Sequence, residues 1–338
     1  MTKYKNFSFY KKKTFIIAEI GNNHEGNYSL AKKLISKAAD CEVDAVKFQT
    51  CIPENFISNL DPERIKKLNK VSFSKKQLVS LSNYAKKKKI IFFSTPLDLN
   101  SAKFLNKFCP IFKVASCDNN YYDLIDEICK YNKPLIISSG MADIKLLKKL
   151  EKKIFKKINN KKKFQLAFLH CVSSYPADAT AVNLNSIKYM KNKLKKSIIG
   201  YSDHTKGIKT CIYAVAIGAK IIEKHFTINK KYSKNFDHHL SADPNEMKKM
   251  VQEIRYLEKI QGDEFKKINK DEKKNIKTLR RSFFYKKNIK KNKIIKNSDL
   301  IMLRPGIGIS NEYKKLLVGK FLSKNVKKGS LVRFGDFK

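Results

Sequence analysis

The chain has 338 residues, 42% of them apolar, which suits one large domain or a large and a small one. No run approaches the roughly 18 apolar residues of a spanning helix, and "MTKYKNFSFYKKKTFIIAEIGNNHEG" has no leader-like apolar core or small-residue cleavage site, which predicts a cytoplasmic chain without membrane association. The formal charge of +43 is nearly all lysine, with six arginines, scattered without aromatic interleaving or a nucleic-acid module; it reads as solvated surface that draws in anionic substrates, not as a nucleic-acid footprint.

In chain order, eight short apolar runs recur: "FIIAEI" (15–20), "DAVKFQT" (44–50), "IIFFST" (90–95), "IFKVAS" (111–116), "PLIISS" (134–139), "FQLAFLH" (164–170), "SIIGYS" (197–202) and "KIIEKHF" (220–226). Between them, stretches such as "SLAKKLISKAAD" and "DLIDEICKY" space apolar residues three and four apart, the helical period. Strands alternating with helices predict an α/β protein whose parallel sheet closes into a (β/α)8 TIM barrel over residues 1–262. An open doubly wound sheet is the structural alternative, but no GxGxxG turn follows any run. The segment 51–73 exceeds a plain βα loop and is expected to cap the barrel. Residues 263–277 are highly charged and read as a linker, and 278–338 have short β-like runs with Gly turns, a second, small β-rich domain. The seven cysteines are odd in number and form no CxxC pair, so neither a disulfide framework nor a zinc site is expected.

In such barrels the active site lies at the C-terminal ends of the strands. Those ends offer Glu19; Lys47 and Gln49; Ser94 and Thr95; Lys113 and Ser116; Ser138 and Ser139; His170; Ser202, Asp203 and His204; Glu223 and His225. Strand alternation puts Lys47 with Gln49, Ser202 with His204, and Glu223 with His225 on shared faces. Lys47 and Lys113, with the hydroxyls of Ser116 and Ser138, form a cradle suited to phosphate and carboxylate. His204 and His225 end neighbouring strands about 4.8 Å apart and can share one metal, with open positions for a Lewis acid. Taken singly, each of these groups is also what a strand-end side chain bonded to its own loop looks like.

The ordered motifs "IIAEIGNNHEG", "AVKFQT", "FFSTP", "KVASCDNNY", "LIISSGM", "LHCVSSYP", "GYSDHT" and "IIEKHFT" resemble those of the sialic acid synthase family, N-acetylneuraminate synthase and its legionaminate and pseudaminate relatives. The tail, with "LRPGIGI" and "VGKFLSKNVKKGSLV", is similar to that family's antifreeze-like SAF domain. The resemblance implies a transferase that condenses phosphoenolpyruvate with an open-chain N-acetylated amino sugar, N-acetylmannosamine-like, releasing phosphate and a nine-carbon 2-keto acid. A 2,4-diacetamido-6-deoxy hexose is the alternative acceptor. It further implies a divalent metal, Mn2+ with Mg2+ or Co2+ as substitutes, on His204 and His225. By motif position, Lys47, Lys113, Ser116, Ser138, Ser173 and Ser202 fall with phosphoenolpyruvate, and Gln49, Tyr175, Asp237 and Arg304 with the sugar. Glu19 and Glu223 are the candidate catalytic carboxylates, and either can be the base. Arg304 matches an arginine that the small domain inserts into the partner's barrel, which implies a domain-swapped homodimer. Two departures touch sugar recognition: Ser173 stands where some neuraminate synthases carry Asn, and "SKNFDHHLSADP" replaces a commoner Arg-Pro-Gly-Pro-Asp run while keeping Asp237.

Overall fold

The computed structural model describes residues 8–9, 13–158 and 164–338, so 1–7 and 10–12 of the N-terminal stretch read for a leader lie outside the described residues. Eight parallel strands form one sheet: β1 (Phe15–Gly21), β2 (Ala45–Thr50), β3 (Ile91–Pro96), β4 (Phe112–Val114), β5 (Leu135–Ser138), β6 (Leu166–Cys171), β7 (Ile198–Asp203) and β8 (Ile221–His225). Their order, β3-β2-β1-β8-β7-β6-β5-β4, is that of a barrel opened between β3 and β4, and those two end strands lie in contact. The sheet is therefore a nearly closed TIM-type barrel. Each strand begins and ends within two residues of the apolar run that predicted it, because a strand buried on both faces reads as an unbroken apolar stretch.

The helices bury one apolar stripe each against the outside of the sheet. In Tyr28–Asp40 the stripe is Leu30, Ala31, Leu34, Ile35 and Ala38, and the Asn27 side chain caps the helix by accepting from Leu30 N–H. Pro244–Gln261, the last barrel helix, starts from an Asp243–Glu246 capping box with Pro at the first turn. It clamps the foot of the barrel: Arg255 donates to Thr14 O at 2.9 Å and pairs with Asp44 at 3.2 Å, while Asp44 accepts from Ile16 N–H at 2.8 Å. The segment after β2 holds the short helices Pro53–Phe56 and Pro62–Val71. It meets the β1 loop through a stack of Phe73 on His24, ring centroids 4.3 Å apart. His24 is buried and its pKa is pushed down to about 3 by desolvation, so it is a neutral packing residue there.

The chain divides into two units, Met1–Gly262 and Asp263–Lys338. Within 263–277, read as a linker, most of a helix forms, Lys270–Leu279, with an Asn269–Glu272 capping box. That box is a short-range signal in the charged stretch that outweighs its lack of an apolar stripe. The helix belongs to the small unit, where its Lys277 O accepts from Gly306 N–H at 2.7 Å. The small unit pairs β9 (Ser282–Tyr285) with β10 (Leu300–Leu303) antiparallel and has its own core of Phe283, Tyr285, Ile295, Leu317, Leu322 and Val332. Among the described residues, no helix is long and apolar enough to cross a membrane.

Candidate active site

Strand register decides which polar ends meet. Glu19 of β1 sits beside Lys47 of β2 and His225 of β8, and Ser202 of β7 beside Glu223 of β8. In parallel neighbours, paired residues point to the same side, so these side chains all enter the barrel. After Glu19 the β1 ladder shifts register and Gly21 takes φ +52°, a left-handed conformation glycine adopts without strain. The Glu19 carboxylate and the Gln49 amide crowd that glycine at 3.3 and 3.6 Å from where a Cβ would stand.

A quartet of buried charges fills the mouth. Lys47 Nζ lies 2.8 Å from Glu19 Oε2 and 3.7 Å from Glu223 Oε2, and Lys113 Nζ lies 3.8 Å from Glu223 Oε1. All four are at most 6% exposed in their side chains. Lys113 also donates to Ser138 Oγ at 2.7 Å, Lys47 to Thr95 Oγ1 at 3.2 Å, Ser202 to Glu223 Oε1 at 3.0 Å, and Gln49 Nε2 to Glu19 Oε1 at 3.2 Å. Ser116 Oγ accepts from Gly140 N–H at 3.2 Å. Ser173 Oγ is buried and has no hydrogen-bond partner in the protein, a group aimed into the site with its bonding capacity unused.

The two carboxylates are driven apart in acidity. Burial pushes Glu19 up to about 7; Lys47 pulls against it and the Glu223 charge adds to it. Burial also acts on Glu223, but Lys113, Lys47 and the Ser202 hydroxyl outweigh it and hold that group below the usual carboxylate range. Lys113 is lowered by its burial, whereas Lys47 is raised because Glu19 and Glu223 outweigh its desolvation. One carboxylate is thus firmly anionic while the other exchanges its proton near neutrality.

The imidazoles of His204 and His225 lie with ring centroids 5.3 Å apart, and burial pushes both toward the neutral form. His204 Nδ1 is 2.7 Å from Val172 O, an arrangement that places the proton on Nδ1 and leaves Nε2 with a free lone pair. His225 Nδ1 is buried without a hydrogen-bond partner, 3.4 Å from Asp237 Oδ2. Neutral, adjacent and incompletely bonded imidazoles are the donor chemistry of a divalent metal. Among the described residues, no group of three or more His, Cys, Asp and Glu side chains stands ready to hold one, so the pair by itself would supply two ligands at most. Tyr175 packs on His204 at 4.1 Å and edge-on to His225 at 6.1 Å, half-exposed at the mouth.

The barrel therefore brings together Glu19, Lys47, Gln49, Lys113, Ser116, Ser138, Ser202, His204, Glu223 and His225, with Tyr175 and Asp237 beside the histidines. Arg304 belongs to the small unit, exposed just after β10. Among the strand ends expected at the mouth, Ser94, His170 and Asp203 point outward instead. Ser94 Oγ meets Thr50 Oγ1 at 2.7 Å, His170 Nε2 lies 2.6 Å from Val182 O, and Asp203 pairs with Lys224 at 2.7 Å, all buried outside the barrel. Alternation explains this: each directly precedes or follows an inward residue, Thr95, Cys171, Ser202 or His204. Sequence reasoning also missed three residues. Cys171 places its Sγ 3.6 Å from Ser116 Oγ and 3.8 Å from His204 Nδ1. At Gly140 a Cβ would stand 2.2 Å from Ser173 Oγ and 2.7 Å from Ser116 Oγ. Asn23 is buried beneath the β8 loop. The one local signal among these was glycine following two strand-end serines.

The NeuB family matches residues 34–266 and the SAF domain residues 280–338. The chain is 39% identical over 336 residues to the N,N'-diacetyllegionaminic acid synthase of Campylobacter jejuni, covering 95% of this chain and 99% of that one. It is 35% identical over 343 residues to the same organism's pseudaminic acid synthase, covering 96% and 97%. Among solved structures, the N-acetylneuraminic acid synthetase of Leptospira borgpetersenii, in complex with citrate, superposes with a TM-score of 0.73 at 37% identity over 78% of this chain and 90% of that one. With these likenesses spanning both units, and with the charged quartet and histidine pair at the barrel mouth, the chain belongs to the NeuB family of sialic acid synthases and carries its SAF domain at the C-terminus.

Proposed function

We propose that the chain condenses phosphoenolpyruvate with a 2,4-diacetamido-6-deoxy hexose in its aldehyde form, giving a nine-carbon 2-keto acid and inorganic phosphate. This acceptor replaces the N-acetylmannosamine-like sugar that the motifs suggest first. It is supported by the 39% identity to a diacetyllegionaminic acid synthase over 99% of that protein's length. The observation that carries the reaction itself is the buried Glu19–Lys47–Glu223–Lys113 quartet, ringed by serine hydroxyls, beside two neutral imidazoles.

In this reading Lys47 and Lys113, still within reach of their glutamates, also meet the phosphate and carboxylate of phosphoenolpyruvate, joined by Ser116, Ser138, Ser173 and Ser202. The enol carbon C3 bonds to the aldehyde carbon, the aldehyde oxygen takes up a proton, and C2 is left as an oxocarbenium ion. Glu223, anionic through its two lysines, faces that cation and stabilises it. Water adds to C2 and gives its proton to Glu19, whose raised pKa suits proton exchange near neutral pH. The C2–O bond to phosphate then breaks, the proton of the C2 hydroxyl leaves with the phosphate, and the ketone remains. His204 and His225 would hold a divalent cation (Mn2+, with Mg2+ or Co2+ as substitutes), which would supply Lewis acidity for a carbonyl. Gln49, Tyr175 and Asp237 bind the sugar, and Arg304 of a second copy completes the site in a domain-swapped homodimer.

Mass analysis of the products formed from phosphoenolpyruvate and a panel of acetamido hexoses tests the reading. The expected result is a nine-carbon acid formed fastest from the 2,4-diacetamido-6-deoxy sugar. Turnover of N-acetylmannosamine alone would overturn the choice of acceptor, and no turnover of any of them the condensation itself.

A further inference from the structure

Asn23 lies in the turn that follows the β1 register shift and is 1% exposed. Its carboxamide is fully engaged: Nδ2 donates to Phe226 O and to Ser241 Oγ, both at 3.0 Å, and Oδ1 accepts from Asp237 N–H at 3.2 Å. Ser241 Oγ in turn donates to Asp237 O at 2.6 Å. The Asp237 N–H is thus held by one buried amide, and its C=O by the hydroxyl bonded to that amide together with the Ser241 and Leu240 N–H groups at 3.1 and 3.3 Å. The same amide grips the residue immediately after His225. A second clamp sits one residue on. His238, 1% exposed, meets Thr227 Oγ1 through Nδ1 at 2.7 Å and faces Glu25 Oε1 at 3.4 Å, and Ser233 also donates to Glu25. The intervening stretch 229–235 is largely surface, with Lys231 and Lys234 exposed.

We infer that Asn23 is a positioning residue for the acceptor sugar: it ties the β1 turn, the exit of β8 and the backbone of Asp237 into one unit, and so sets the Asp237 carboxylate beside His225. A buried amide does this because every alternative side chain leaves a backbone N–H or C=O there without a partner. The Asp237 carboxylate, a third exposed, is the one group of this cluster that opens to the mouth, so its direction depends on the amide behind it. The acceptor role rests on the function proposed above; the clamp on the loop does not.

Two variants of the full-length chain test it, Asn23→Asp, which keeps the volume and loses both donors, and Ser241→Ala, which removes only the hydroxyl that bridges Asn23 and Asp237 O. Without substrate, trypsin should cut after Lys231 and Lys234 about tenfold faster in each variant, with other sites cut at the wild-type rate, because only local opening is released. In turnover, KM for the acceptor should rise about tenfold or more while KM for phosphoenolpyruvate stays within about twofold, the signature of a displaced binding group. Wild-type cutting in the loop, or equal rises in both KM values, overturns the inference. Faster cutting at every site would mean that Asn23 only stabilises the barrel, which overturns it too. If wild-type protein condenses no acetamido sugar, the function and the acceptor role fail together, while the trypsin experiment still decides the clamp.

Discussion

Glu19 and Glu223 occupy one barrel mouth and share Lys47, yet burial sends one up to about 7 and the lysines hold the other low. A base must be deprotonated to act, so a carboxyl raised to about 7 is active above that pH and silent below it. The expected kcat/KM profile therefore rises as pH passes through about 7. Glu19→Gln should lower kcat by roughly 10²–10⁴-fold and remove that limb from the residual activity; an unchanged limb would assign the proton transfer elsewhere. Lys113→Ala tests the anion cradle. Loss of a charge-assisted contact to phosphate or carboxylate should raise KM for phosphoenolpyruvate far more than KM for the sugar, and steady-state kinetics with each substrate varied in turn would expose a misplaced cradle as an unshifted phosphoenolpyruvate KM.

At the scale of elements, the strand ends are held in place from outside the barrel. Lys224 of β8 and Asp203 of β7 form an ion pair with no exposure at either side chain, and Tyr201 O–H and Thr205 N–H also donate to Asp203, at 2.9 Å each. Burial would raise the Asp203 carboxyl, but Lys224 and these donors keep it low. Lys224→Met leaves that carboxylate buried and uncompensated, which should cost about 3–5 kcal/mol in a urea titration. The double variant Asp203→Asn, Lys224→Met should recover part of the loss. A single variant as stable as wild type would show that water or another group already compensates Asp203. The turn after β5 is constrained differently. With Ser173 and Ser116 hydroxyls 2.2 and 2.7 Å from the place of a Cβ, Gly140→Ala must push apart two groups of the proposed phosphate cradle. The expected outcome is a rise in KM for phosphoenolpyruvate with only a small drop in melting temperature, read by calorimetry beside kinetics.

For the molecule as a whole, metal and assembly are the open tests of the proposed reading. Treatment with EDTA should abolish activity and Mn2+ should restore it, since both imidazoles are held neutral by burial and His225 Nδ1 has no hydrogen-bond partner among the described residues; full activity after chelation would remove the metal from the reading. If Arg304 acts in the partner's barrel, mixing His225→Ala with Arg304→Ala chains should restore activity. Half of randomly exchanged dimers are mixed and each then has one intact site of two, so recovery should be about a quarter of wild type. Verified exchange without any recovery would place Arg304 in its own chain's site or in none.

Eight strands were legible in the residues themselves, because parallel strands buried on both faces leave unbroken apolar runs and end where polar groups begin. Alternation alone paired Lys47 with Gln49 and Glu223 with His225, since the period of two is a local property. What alternation could not supply was the depth at which each strand sits against its neighbour. That register sets Glu19 beside Lys47 and His225, and Ser202 beside Glu223. Asn23, Cys171 and Gly140 escaped the sequence reading for the same reason: their partners lie tens to hundreds of residues away in the chain, across strands and loops that meet only when the barrel closes. The helix at 270–279 escaped it because charged residues hid a short capping signal. The split between Glu19 and Glu223 was beyond any sequence argument. Two glutamates with the same intrinsic acidity differ only through the solvent each loses and the lysines each meets, and both quantities exist only in the folded barrel.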